Sequence, residues 1–275
     1  MRRVGVSAVV MALTAVGILV ATGDGGNAAS GGSGRTTLEL GVVAIDARIG
    51  DRRVRSSGAM IDARAGLVVT STHSVWGATS LRLTTGLGVL HGRLVARAPC
   101  AGLAVIEIQP RVPGLVALPI AGGGAPTAGE PLRVVGRREG DLLTIPLRSA
   151  GSAAEATVEE DLPPLVQAIR LDAAVVPEST GGPVVNARGE LVGLAMATSE
   201  GTALALPWAT VEARLDELEV DRQRVYVGWR EHYRCAPQLH AYAEREHPGY
   251  RPIDARINAP VPATRLPGTE NLDAR

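Results

Sequence analysis

The segment Pro177-Glu178-Ser179-Thr180-Gly181-Gly182-Pro183-Val184-Val185-Asn186 (PESTGGPVVN) sits between strand-like runs at 166–169 and 191–195. It places two hydroxyl side chains, Ser179 and Thr180, directly ahead of a glycine pair. Glycine pairs mark turns where the backbone takes conformations closed to other residues or approaches a second segment closely. A hydroxyl on such a turn is a candidate nucleophile if a base stands beside it. Neighbouring residues of an extended loop point in different directions, so Ser179 and Thr180 cannot both face one base. Thr180, adjoining the glycines, is the candidate.

Outward from this turn the chain reads as strands. Short apolar runs occur at 41–45, 59–61, 67–70, 81–83, 94–96 and 103–108, then at 132–135, 143–145, 166–169, 184–185, 191–195 and 203–206. They recur every 8 to 15 residues or so with Gly, Pro, Asp or Asn between them, the spacing of an all-β sandwich or barrel pair. The 33 glycines and 18 prolines agree with many turns. One helix is predicted over 207–218 (PWATVEARLDEL), with Val211, Leu215 and Leu218 at i, i+4 and i+7. It would close the β region. Residues 221–275 carry few strand patterns and end in a proline-rich polar run, expected to be disordered. Trp229, Tyr233, Leu239 and Tyr242 could form a short helical patch there.

Composition narrows the function. Of 275 residues 45% are hydrophobic and 20% charged, enough for a sizeable core. Formal net charge is zero, which gives no general attraction to nucleic acid. All 28 basic residues are arginine, a compositional bias from which no function follows. Arg2-Arg3 precedes an uncharged apolar run, 4–22. That pattern is a secretory signal or, given its length, an N-terminal membrane anchor. Residues 1–23 are therefore read as signal or anchor and 24–36 (GDGGNAASGGSG and its flanks) as a flexible spacer. An extracytoplasmic body, 37–220, follows, and then the tail.

Three motifs lie in a chosen order: Thr70-Ser71-Thr72-His73-Ser74-Val75 after a buried strand, Cys100-Ala101-Gly102-Leu103-Ala104-Val105-Ile106 opening another, then the Thr180 turn. This chain resembles the trypsin-like serine proteases of the bacterial HtrA/Deg type. The resembling segments are SGAMIDARAGLVVTSTHSV, GRLVARAPCAGLAVIEI, GEPLRVVG, RLDAAVVPESTGGPVVNARGELVGLAMA and ALALPWATVEARLDEL, in the family's order across residues 40–218. The resemblance implies two perpendicular six-stranded barrels, an active site in the cleft between them and a C-terminal helix. It also implies that His73 is the general base and Thr180 the nucleophile, with Gly102 where the family has its triad aspartate. Glu178 stands where a glycine usually lends an oxyanion-hole N–H, beside that of Thr180. The pocket strand would present Leu194, Met196 and Thr198, an apolar set suited to an aliphatic residue. The 55 residues after the helix are too few and too polar for the PDZ domain that HtrA proteins usually carry.

These departures favour a silent site. Losing the acid costs on the order of 10⁴ in kcat, about 5.5 kcal/mol. No acidic residue lies between Asp62 and Glu107, and Glu107 is five residues into a strand, where its side chain points away. The extra methyl of Thr180 restricts χ1 and crowds a position sensitive to ~1 Å. Asp172 reads as a turn residue rather than a substitute acid. The expectation is a pseudoprotease binding a peptide or protein partner in the inter-barrel cleft. The alternatives are a weak endopeptidase using Thr180 and His73, or an envelope protein acting through its tail. Cys100 and Cys235 are the only cysteines, and outside the cytoplasm an even count favours a bond between them over free or intermolecular thiols. No cofactor or metal is expected: His232, His240 and His247 have irregular spacing and read as surface residues, as does His91 in a polar turn.

Overall fold

The computed structural model describes residues 35–138, 140–198, 202–222 and 228–251. The apolar run 4–22 and most of the spacer lie outside them. Among the described residues no helix is long and apolar enough to cross a membrane.

A short helix, α1 (Thr37–Gly41), opens the body, capped by Thr36, whose hydroxyl accepts the Glu39 N–H at 3.2 Å. Six strands follow: β1 (Val42–Ile49), β2 (Arg52–Asp62), β3 (Leu67–Ser71), β4 (Ser80–Thr85), β5 (Gly88–Ala98) and β6 (Leu103–Gln109). They close into a barrel in the order β1-β2-β3-β6-β5-β4. Strand β1 shows why: Val43, Ile45, Ala47 and Ile49 alternate into the barrel interior, the period of a pleated strand.

The second half repeats the design. It contains β7 (Pro131–Arg138), β8 (Asp141–Ser152), a small pair formed by β9 (Glu155–Ala156) and β10 (Leu165–Val166), then β11 (Ile169–Leu171), β12 (Pro183–Val185), β13 (Leu191–Ala197) and β14 (Ala203–Pro207). Leaving out the small pair, the order β7-β8-β11-β14-β13-β12 closes a second barrel with the topology of the first. Two closed antiparallel barrels remove the exposed strand edges that short β-structure would otherwise leave.

Two helices complete the body. Helix α2 (Trp208–Arg222) begins one residue later than the sequence pattern predicts, because Pro207 ends β14, and runs four residues further. Helix α3 (Gly228–Glu246) enlarges the expected helical patch to 19 residues. Its reason is packing: Ala236, Leu239 and Ala243 fall on one face and are buried. They join the largest apolar cluster, which belongs to neither barrel interior but links Leu103, Leu165, Met196 and Val211 across both halves. The proline-rich run 260–275, expected to be disordered, lies outside the described residues.

The turn at 177–186 is the seam between the barrels. Gly181 has φ 76°, and a Cβ placed there would lie 2.7 Å from both Ser57 O and Ser71 N. A Cβ on Gly182 would lie 2.6 Å from Val135 O. Real Cβ atoms do not approach backbone so closely, so the glycine pair is what lets the barrels touch. Gly181→Ala is expected to destabilise the protein by about 3 kcal/mol, combining overpacking with a left-handed backbone. Urea denaturation measures this, and an unchanged midpoint would show that the seam has room to spare.

Candidate active site

His73 lies in the turn after β3, and the last residue of that strand is its partner: Ser71 Oγ is 2.7 Å from His73 Nδ1. The other side of the ring meets Tyr242 of α3 edge-on, with centroids 5.8 Å apart. Part of the histidine surface stays accessible, yet protein surrounds most of the ring. Burial, aided by the nearby His247, pushes its pKa down to about 4. The imidazole is neutral at physiological pH.

Gly102 ends a 3-10 turn, Pro99–Ala101, in the left-handed conformation (φ 69°, ψ 17°). Its carbonyl accepts the Thr72 N–H at 2.8 Å, so the backbone tie between the acid position and the histidine turn is present without any carboxylate. A Cβ on Gly102 would stand 3.1 Å from Leu165 Cδ2, so the β10 segment occupies the space next to it. Glu107 is buried and engaged elsewhere, accepting from Arg93 at 2.6 Å and Gln109 at 3.1 Å, with Arg111 at 3.6 Å. Asp172 exchanges bonds with the Arg148 backbone, accepting its N–H at 2.6 Å, the role of a turn residue.

Thr180 is buried, and its hydroxyl accepts the Ala197 N–H at 3.3 Å. Among the described residues no hydrogen bond joins it to His73. The Thr180 N–H donates to Pro177 O at 3.0 Å and the Ser179 N–H to Val176 O at 2.9 Å, because Pro177–Ser179 form a second 3-10 turn. An oxyanion hole needs such a donor free and aimed outward; here the turn itself uses the Thr180 N–H. Glu178 is tolerated for the same reason. Gln167 is the only non-glycine with positive φ among the described residues, so position 178 does not demand glycine. Its carboxylate pairs with Arg138 at 3.4 Å and its carbonyl accepts from Ser57 Oγ at 2.7 Å. Ser179 is fully buried against β7, where a Cβ on Gly136 would lie 2.6 Å from its Oγ.

A small pocket beside His73 is walled by Gly102, Leu162, Leu165, Met196 and Leu239, with room for roughly one water. Of the expected specificity residues only Met196 lines it. Leu194 is core, and the Thr198 hydroxyl donates to Thr202 O at 2.7 Å. The structure thus gathers His73, Gly102 and Met196 and leaves Thr180, Glu178, Leu194 and Thr198 off this pocket.

Cys100 and Cys235 are joined in a disulfide across 135 residues of sequence. In the chain-entropy model a loop of this length contributes about 5 kcal/mol. Two of the tail histidines are less exposed than their spacing suggested. His247 is buried, and His240 Nδ1 meets the Tyr250 hydroxyl at 2.5 Å and the Trp76 Nε1–H at 3.4 Å. Both follow from α3 folding onto the first barrel. The side chain of His232 lies outside the described residues, and His91 is exposed on β5 rather than in a turn. Ser71, Leu239 and the 158–165 segment were not singled out as site residues. The only sequence signal for Ser71 is its i−2 position before His73.

The model of the trypsin-like peptidase domain matches residues 56–194. HhoA of Synechocystis is 29% identical over 164 residues, 57% of this chain and 41% of HhoA. The periplasmic serine endoprotease DegP of Salmonella typhimurium is 29% identical over 173 residues, 62% of this chain and 32% of DegP. The chain therefore spans well under half the length of these curated relatives. Among solved structures, the Rv3671c protease of M. tuberculosis in its active form superposes with a TM-score of 0.57 at 21% identity, covering 65% of this chain and 81% of that one. A serine endoprotease of Yersinia pestis gives 0.57 at 22% identity, covering 68% and 65%. These likenesses show the fold.

The neutral histidine leaves a mark on stability. Its folded pKa of about 4 lies below the ordinary 6.5, so the unfolded chain binds the proton first as pH falls. The contribution is complete above pH 6.5 and is lost between there and about pH 4. His240 and His247 shift the same way by burial. His73→Gln should therefore shrink, without abolishing, the fall in urea midpoint over this range. The decrease is at most about 3 kcal/mol and less because the ring is partly solvated. An identical pH dependence in the variant would contradict it.

Proposed function

This chain belongs to the trypsin-like peptidase family, of HtrA type, and we propose that it is a pseudoprotease, a member that acts by binding rather than by cutting. One observation carries the reading: the nitrogen of His73 that a triad carboxylate would orient faces the hydroxyl of Ser71. A neutral hydroxyl does not stabilise the imidazolium that must form as the base takes a proton. Two further features act in the same direction. Thr180 directs its hydroxyl to the Ala197 N–H, and its own N–H is held by Pro177.

An extracytoplasmic location fits the same reading. The basic pair and apolar run at the N-terminus have the form of an export signal or anchor, which would tether the body to a membrane. The disulfide suits an oxidising compartment. The partner we assign to the inter-barrel cleft is a protein segment with an apolar face, because the walls around His73 are Leu162, Leu165, Met196 and Leu239.

The purified full-length protein, treated with a fluorophosphonate probe and with casein, should show neither labelling nor digestion. Thr180→Ser should remain unlabelled, since the missing acid and the occupied Thr180 N–H persist. Gly102→Asp should also stay silent, because Leu165 stands where the new side chain must pass. Labelling at Thr180 that disappears in His73→Ala would overturn the proposal.

A further inference from the structure

The groove beside His73 is already occupied by part of the chain. Helix α3 bridges the two halves of the body. Its buried face, Ala236, Leu239 and Ala243, shares one apolar cluster with Leu103 and Ala101 of the first half and with Val158, Leu165 and Met196 of the second. Leu239 forms a wall of the His73 pocket, and Tyr242 stands edge-on to the His73 ring. Arg245 lies over the Tyr242 ring and pairs with Asp161 on the loop that follows β9. Beyond the helix, Pro248 O accepts the Asp51 N–H at 2.9 Å, and Tyr250 packs on Gly77, where its ring would clash with any added Cβ. His240 and Trp76 meet edge-on, 5.2 Å apart, and close the far side.

This is how an amphipathic helix seats in a groove: small and leucine residues at i, i+3 and i+7, an aromatic beside them and a charge at the rim. It is not how a cleft receives an extended peptide, which needs a free strand edge and open backbone groups. The bond from Cys235 to Cys100 fixes the helix at one point, two residues from Gly102.

We propose that the inter-barrel groove is a helix-binding site whose resident ligand is α3, and that a partner helix with the same Ala-Leu-Tyr-Ala face enters it once a dithiol reductant has converted the Cys100–Cys235 bond to two thiols, the dithiol leaving as its own disulfide. The proposal rests on the binding role assigned above and names its partner class. The two fail separately, because probe labelling reports on catalysis and helix binding reports on the groove.

The test uses the full-length protein, oxidised, reduced with dithiothreitol, and as Cys235→Ser. The probe is a fluorescein-labelled peptide of residues 228–251 carrying serine at 235. Oxidised protein should bind it at least tenfold more weakly than the reduced and Cys235→Ser forms. In those two forms, amide exchange over 236–246 should quicken at least tenfold while the strands of both barrels keep their protection. The peptide bearing Leu239→Asp should not bind. Equal binding to oxidised and reduced protein would overturn the proposal. So would undiminished binding of the Leu239→Asp peptide, or reduction that leaves exchange unchanged with no peptide bound. Loss of the cooperative urea transition on reduction would also overturn it, since the bond would then hold the whole fold rather than one helix.

Discussion

The contact on which the rest of this structure depends is the buried junction around Ser57. Its N–H donates to Thr180 O at 2.9 Å, its hydroxyl donates to Glu178 O at 2.7 Å and accepts the Arg137 N–H at 3.0 Å, and its carbonyl accepts from the Thr70 hydroxyl at 2.7 Å. One small residue on β2 thereby ties β3, which leads into the histidine turn, to the seam turn and the second barrel. Satisfied polar networks in a low-dielectric interior are rigid and specific, and leaving one member unpaired is expensive. Arg137 adds a second tie, its guanidinium donating to Val42 O at 3.1 Å, to Glu39 O at 2.5 Å and to Gly140 O. The scaffold of a protease fold is fully built here, whereas the surroundings of His73 and Thr180 rest on single contacts, with the Ser71 hydroxyl and with the Ala197 N–H.

That contrast explains how much could be read in the sequence. The barrels were legible because alternation in runs such as Val43 to Ile49 and the glycine pair at 181–182 are local signals with local physical causes. The absence of carboxylates from 63 to 106 was legible as well, since it needs no structure to see. The fate of the remaining site atoms was not. Whether Ser71 meets His73, or the Thr180 N–H turns inward, depends on one 3-10 turn and one rotamer, which no periodicity encodes.

The tail was the largest surprise, for a related reason. Residues 221–251 are polar in bulk, and averaging over them hides a face of Ala236, Leu239, Tyr242 and Ala243 that appears only at helical spacing. Their burial also depends on a surface made by distant parts of the chain, the 99–101 turn and the 158–165 loop. His240 and His247, read as surface residues from spacing alone, became half-buried and buried when that face docked. Apolar pattern predicts which side of a helix is sticky, but the partner surface decides whether the helix is covered.

The position of α3 after both barrels in chain order carries a consequence for how the molecule is made. Synthesis proceeds from the first barrel to the second, and domains generally fold as they emerge. The segment that seals the apolar cluster around His73 is synthesised after both barrels, so a nascent chain carrying both completed barrels still exposes that surface. Maturation of this body therefore includes a capping event, and pairing of Cys100 with Cys235 registers that the helix has arrived. A chain truncated before the cap would present the sticky patch that quality-control machinery recognises.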